Sequence, residues 1–138
     1  MEQYSLTMRG ISKSYSGVAA VQNVDFSVRP GEVHALIGEN GAGKSTLLNI
    51  LSGVRAADSG EILVDGQVIQ MKNPLSARHA GIAMIHQELQ HVPELSVAQN
   101  MFLGRPLTRF KGLFVDKQAQ YKRAVSILRR LDPSIDPD

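Results

Sequence analysis

The eight residues Gly38-Glu39-Asn40-Gly41-Ala42-Gly43-Lys44-Ser45 match the spacing G-x-x-x-x-G-K-[ST] at every fixed position, and the chemistry that this spacing serves is the holding of a phosphate chain. A loop that wraps phosphates turns successive backbone N–H groups inward. That demands positive φ angles or close backbone approach, which Gly38, Gly41 and Gly43 permit. Lys44 brings a positive charge for the β- and γ-phosphates, Ser45 a hydroxyl for Mg²⁺, and Thr46 a further contact at the α-phosphate. Glu39, Asn40 and Ala42 complete the cradle with their backbone. The plainer alternative is a glycine-rich turn with a solvated Lys44, and it leaves the full match unexplained.

Such a loop needs a strand before it and a helix after it. Val33-His34-Ala35-Leu36-Ile37 is a short apolar run of strand character, and Thr46 to Leu51 reads as a helix that turns its free N–H groups and positive dipole end toward the phosphates. Upstream, the stretches from Ser5 to Ile11 and from Val21 to Val28 alternate apolar and polar residues and predict antiparallel strands. The polar loop Ser12 to Gly17 between them carries Tyr15, an aromatic able to stack on a base; on the loop alone, an ordinary strand-end tyrosine is the simpler reading.

Downstream, Gly53 predicts a left-handed helix end, and Glu61 to Ile69 predicts a hairpin with Asp65-Gly66 at its tip. Asp65 ends an apolar run as a Mg²⁺-directing aspartate would, but the Asp-Gly step fits a tight turn better. Leu51-Ser52-Gly53 resembles the start of an ATPase signature, yet it closes the phosphate-loop helix and no Gly-Gln follows. After a short helix from Leu75 to Ala80, the continuous apolar run Ile82 to Ile85 predicts a parallel strand buried on both faces. It runs into His86-Gln87-Glu88, and at the carboxyl end of such a strand Gln87 can reach Mg²⁺ or an attacking water, or is simply a polar loop residue with its hydrogen bonds satisfied. His86 and His91 have no partner at metal-site spacing. Ser96 caps a predicted helix from Val97 to Leu103, Lys111-Gly112 marks a loop, and Asp116 caps a longer helix from Lys117 to Leu131. On that helix Tyr121, Ala124, Val125, Leu128 and Leu131 form the expected apolar face.

Composition narrows the classes. A chain of 138 residues that is 43% hydrophobic can bury one sizeable core, and its net charge of +2 without a basic stripe argues against nucleic acid as a partner. No cysteine is present, which excludes disulfides and thiolate metal sites. No apolar run approaches the length of a signal peptide core or a membrane span, so a soluble cytoplasmic protein is expected.

Taken together, Tyr15, the loop through Thr46-Leu47, Gly53 with Asp58-Ser59-Gly60, the Asp65-Gly66 hairpin and Ile85-His86-Gln87-Glu88 closely resemble the N-terminal part of an ABC transporter ATPase. The segment from Val92 to Arg105 is similar to the carbohydrate-uptake branch, the tandem-domain ATPases of ribose, galactose and xylose importers. The resemblance implies an α/β fold: a phosphate-loop ATPase core with an N-terminal antiparallel β-subdomain over about residues 1–87, and the start of a helical subdomain over about residues 88–138. It implies ATP and Mg²⁺ as cofactors, with Tyr15 on adenine, Gly38 to Thr46 on the phosphates, Ser45 and Gln87 at the metal, and Lys44 and Gln87 serving catalysis. Its implied partners are the transmembrane permease subunits of a sugar importer and a second ATPase domain in a nucleotide-sandwich dimer. The implied location is the cytoplasmic face of the membrane, held there through the permease.

The pattern departs from the family by absence. No LSGGQ-like signature, no apolar strand ending in Asp-Glu and no switch histidine occurs before Asp138, so the chain is expected to be truncated ahead of these motifs. By itself it should bind nucleotide without turning it over. Two other readings stay open: a non-hydrolytic nucleotide-binding module, and a soluble ABC-type ATPase acting on nucleic acid or ribosomes.

Overall fold

A computed structural model describes residues 4–85, 91–110 and 112–138. The chain divides into two compact units, residues 1–85 and 86–138.

In the first unit, β1 (Leu6–Tyr15) and β2 (Val18–Val28) form a long antiparallel hairpin with Leu6 opposite Val28 and Tyr15 opposite Val18. Both strands run further than alternation alone predicts, and the segment from Ser12 to Tyr15 is strand rather than loop. The reason is a set of register shifts: residues near Gly10 (φ 60°) and Asn23 (φ 47°) take left-handed backbone, so the inward face changes parity along the strand. Gly10 donates its N–H to Asp25 Oδ1 at 2.7 Å, and Asn23 donates to Ser12 Oγ at 3.0 Å, so the irregular positions keep their hydrogen bonds.

After the phosphate loop comes α1 (Lys44–Leu51), closed by Gly53 at φ 73° in the left-handed conformation expected of it. Here a side chain has no room, because a Cβ at Gly53 would run into the carbonyl of Asn73. β3 (Ser59–Val64) then pairs antiparallel with the other side of β1, and β4 (Gln67–Val68) pairs with β3. Asp65 (φ 49°) and Gly66 (φ 79°) both carry positive φ, the backbone of a tight hairpin turn. The sheet order is β2-β1-β3-β4. α2 (Pro74–His79) starts in a reciprocal cap in which Asn73 Oδ1 accepts from Ser76 N–H at 2.9 Å and Ser76 Oγ accepts from Asn73 N–H at 3.1 Å. One face of the sheet buries Met8, Ile11, Val21 and Ile62 against Leu47 and Ile50 of α1, with Met71 and Ala77 closing the cluster. Burial of this apolar surface is the main force holding the unit together.

Two sequence expectations fail in this unit. Val33 to Ile37 and Ile82 to Ile85 are not strands. Val33 is 100% exposed, Ile37 89% and Ile85 96%. An apolar parallel strand is stable when neighbours saturate its backbone on both edges and layers cover both faces. Among the described residues no strand pairs with either run, so most of their apolar side chains lie open, while Ile82 packs at the edge of the core cluster.

In the second unit, α3 (Val97–Met101) begins at Ser96, whose Oγ accepts from Gln99 N–H at 3.3 Å while Gln99 Oε1 accepts from Ser96 N–H at 2.8 Å. The helix stops before Phe102, short of the expected end at Leu103. β5 (Thr108–Arg109) and β6 (Phe114–Val115) make a small hairpin where only a loop was expected, with Lys111 outside the described residues. α4 (Lys117–Leu131) runs over its expected span, capped by Asp116 Oδ1 accepting from Ala119 N–H at 3.0 Å. Its buried line is Gln120, Ala124 and Leu128, so Tyr121 and Leu131, expected on the apolar face, are exposed instead. No helix among the described residues is long and apolar enough to cross a membrane.

Candidate functional site

The phosphate loop is an extended, exposed approach from Val33 followed by a turn closed by Ala42 N–H donating to Glu39 O at 3.2 Å. Gly41 and Gly43 both sit at φ 86°, the conformation their lack of a side chain makes accessible. Gly38 does not take positive φ. Its requirement is space: a Cβ there would come within 3.2 Å of Ala42 Cβ and 3.8 Å of Lys44 Cδ. Gly43 has both constraints, since a Cβ on it would lie 2.5 Å from Ala20 O and 3.0 Å from Val21 Cγ2. The loop therefore rests directly on β2.

Lys44 folds back over this turn. Its Nζ donates to Gly38 O at 2.5 Å and to Glu39 O at 2.6 Å, which fixes the ammonium at the loop while Ser45 remains exposed. The first amide of α1 with a backbone acceptor is that of Leu47, donating to Gly43 O at 2.9 Å. No side chain caps this N-terminus and no acidic residue sits in its first turn. The amides of Lys44, Ser45 and Thr46, the positive end of the helix dipole and the lysine charge are thus gathered at one place, an arrangement that attracts a multiply charged anion. The strand expected to lead into the loop is absent among the described residues, so turn and helix alone build the cradle.

Tyr15 ends β1, 39% exposed, with the Lys13 ammonium 5.8 Å from its ring centroid. Lys13 lies opposite Val21, and Tyr15 opposite Val18. The ring-bearing residue is therefore about two residues, roughly 7 Å of strand, from the point where Gly43 meets β2. The structure brings Tyr15 and the loop to one end of the hairpin. Gln87 and His86 lie outside the described residues. Asp65 occupies its turn, and Leu51-Ser52-Gly53 is the end of α1. His91 is exposed, and no cluster of three metal-ligating side chains occurs among the described residues.

Asp58, named in the sequence only among the residues that carry the resemblance, was not expected near Tyr15. Its Oδ1 accepts from Lys13 Nζ at 2.5 Å, its Oδ2 from Ser14 N–H at 2.8 Å, and its own N–H donates to Ser12 O at 2.9 Å. The Lys13 hydrogen bond, then the Ser14 amide, hold the Asp58 carboxyl below its usual range. Glu32 is likewise lowered, first by the Arg29 amide and then by His34.

Sheet, helix and glycine cradle together define an α/β phosphate-loop protein. The family model described as ABC transporter matches residues 21–136, and the chain belongs to that family. Among solved structures, it is similar to a nucleotide-free ATP-binding cassette from an ABC transporter, with TM-score 0.79 and 30% identity over 96% of this chain and 55% of that one. A cassette solved in its ADP conformation gives TM-score 0.79 and 30% identity over 97% and 56%. Among curated proteins, the ribose import ATP-binding protein RbsA of Chromobacterium violaceum is 52% identical over 96% of this chain and 26% of its own length. The xylose import ATP-binding protein XylG of Geobacillus kaustophilus is 47% identical over 100% of this chain and 27% of its own length. The chain thus spans about a quarter of the length of the curated relatives it matches.

Proposed function

We propose that this chain is the nucleotide-binding part of the ATP-binding subunit of a sugar importer, coupling ATP binding and hydrolysis in the whole protein to carbohydrate uptake. The observation that carries the proposal is the convergence of Gly41 and Gly43 in left-handed backbone, the uncapped N-terminus of α1 and the anchored Lys44 at one point. Its support for sugar as cargo is the likeness to ribose and xylose import proteins. The residues fit the cofactor: backbone from Gly38 to Thr46, including Glu39, Asn40 and Ala42, would hold the phosphates of ATP, and Lys44 would neutralise their charge. Ser45, exposed at the helix start, and Gln87 would complete the coordination of Mg²⁺, and Tyr15 would stack on adenine.

The partners of this reading are the permease subunits and a second ATPase domain facing the first across the nucleotide, with the protein held at the cytoplasmic face of the membrane through the permease. Within these 138 residues the parts present are those that bind. Charge neutralisation lowers the barrier of phosphoryl transfer only when a group also places the attacking water. We therefore expect nucleotide binding by this chain with little or no turnover. The test is titration of ATP with Mg²⁺ into the chain and into Lys44→Ala. Binding weakened at least about tenfold by the substitution, at unchanged folded signal, supports the site. Equal affinity of the two chains refutes it.

A further inference from the structure

Tyr15 can stack on a base only if its ring stands within the limited reach of a nucleotide whose phosphates sit in the loop. The chain supplies a brace immediately before Tyr15. Asp58 follows α1 and Gly53 in the chain, so it belongs to the segment leaving the phosphate-loop helix, and it reaches across a sequence separation of 45 residues to Lys13. Its two carboxylate oxygens are divided between the Lys13 ammonium and the Ser14 amide, and its own N–H holds Ser12 O. Three consecutive residues of β1 immediately before Tyr15 are thereby fixed by one aspartate. The Lys13 side chain is 17% exposed and that of Asp58 48%, so the ammonium is sheltered while the carboxylate stays half open to solvent, and the brace rests on its three hydrogen bonds and not on a buried ion pair. The same ammonium lies over the Tyr15 ring, 5.8 Å from its centroid, and Tyr15 is 39% exposed, so Lys13 touches both the aspartate and the ring.

Resting on the reading of Tyr15 as the base-stacking residue, we propose that Asp58 is a positioning residue for nucleotide recognition. Through Lys13 and the Ser14 amide it sets the Tyr15 ring at the distance from the phosphate loop that a nucleotide requires. Asp58 touches no part of the ligand itself. Its effect is confined to the base, and the phosphate cradle works without it.

The experiment compares two probes by calorimetric titration with Mg²⁺, ATP and inorganic tripolyphosphate, the second having phosphates and no base. The ratio of the two affinities reads the base contribution alone. Chains to be compared are the unsubstituted protein, Tyr15→Ala, Asp58→Asn, Lys13→Met and the conservative Asp58→Glu, with far-ultraviolet circular dichroism confirming the fold of each. A stacked base contributes roughly tenfold to affinity. We expect Tyr15→Ala to abolish that ratio, Asp58→Asn and Lys13→Met each to lose most of it, Asp58→Glu to restore part of it, and tripolyphosphate binding to stay unchanged throughout. If Tyr15→Ala lowers the ratio while Asp58→Asn and Lys13→Met do not, the positioning role is refuted and the stacking role of Tyr15 survives. If Tyr15→Ala leaves the ratio intact, the stacking reading fails and the positioning role falls with it. Loss of tripolyphosphate binding in parallel with ATP also refutes the proposal, because it makes Asp58 a general support of the fold. Should Asp58→Asn not fold, Lys13→Met carries the same three outcomes.

Discussion

Replacing Gly43 by alanine separates two physical effects that glycine satisfies at once. The residue sits at φ 86°, where an L side chain is strained. That strain alone costs about 1–2 kcal/mol. In addition the new Cβ would stand 2.5 Å from Ala20 O and 3.0 Å from Val21 Cγ2, and the first of these is backbone of β2 that cannot rotate away. Relieving it requires the loop or the strand to shift, at roughly 1–3 kcal/mol, the range for overpacking a well-filled site. Gly41 is the internal control: it has the same φ of 86°, yet a Cβ there meets nothing within 4 Å. Gly43→Ala should therefore destabilise by about 2–5 kcal/mol and Gly41→Ala by about 1–2 kcal/mol, measured as the shift of urea midpoint at constant m-value. The contact with β2 accounts for the difference. If the two variants unfold within about 0.5 kcal/mol of each other, the loop does not rest on the hairpin as described.

Removing the cap of α2 with Asn73→Ala should lower stability by about 1 kcal/mol, seen in the same urea titration, because Ser76 N–H loses its side-chain acceptor at 2.9 Å and keeps only the longer bond to Asn73 O at 3.1 Å. Ile50 is 1% exposed in the core, so Ile50→Ala should cost about 2–5 kcal/mol, read from thermal or urea unfolding. Asp58 gives a sign for acid sensitivity. Its folded pKa lies below the usual aspartate value of 3.8, so the stability it contributes is present above that value and is lost as pH falls through the folded pKa. Urea midpoints taken from about pH 6 down to about pH 3 should fall more steeply for the unsubstituted protein than for Asp58→Asn.

What the sequence makes legible here is what neighbouring residues decide. Ser96 and Asp116 cap their helices, and Asp65-Gly66 turns its hairpin, because each acts on backbone a few residues away. The phosphate loop is local in the same sense. The hairpin of β5 and β6 escaped notice because its strands are only two residues long: Gly112 at φ 95° marked the loop, but so short a pair leaves no alternation to read on either side of it. Val33 to Ile37 and Ile82 to Ile85 show the opposite failure: composition reports what would suit a buried strand, whereas pairing depends on neighbours that composition does not contain. Asp58 and Lys13 meet across 45 positions, and nothing in either one's surroundings announces the other.

The anchoring of Lys44 bears on the heat and order of ligand capture. A free lysine side chain gives up about 1.5–2 kcal/mol of rotamer freedom when it is fixed. Here that loss is already incurred, since Nζ is held by Gly38 O and Glu39 O. A phosphate oxygen arriving at the loop exchanges acceptors with two carbonyls and does not have to freeze a wandering chain. Capture at this position is then an isosteric trade of partners, and the entropy of the lysine stays outside it.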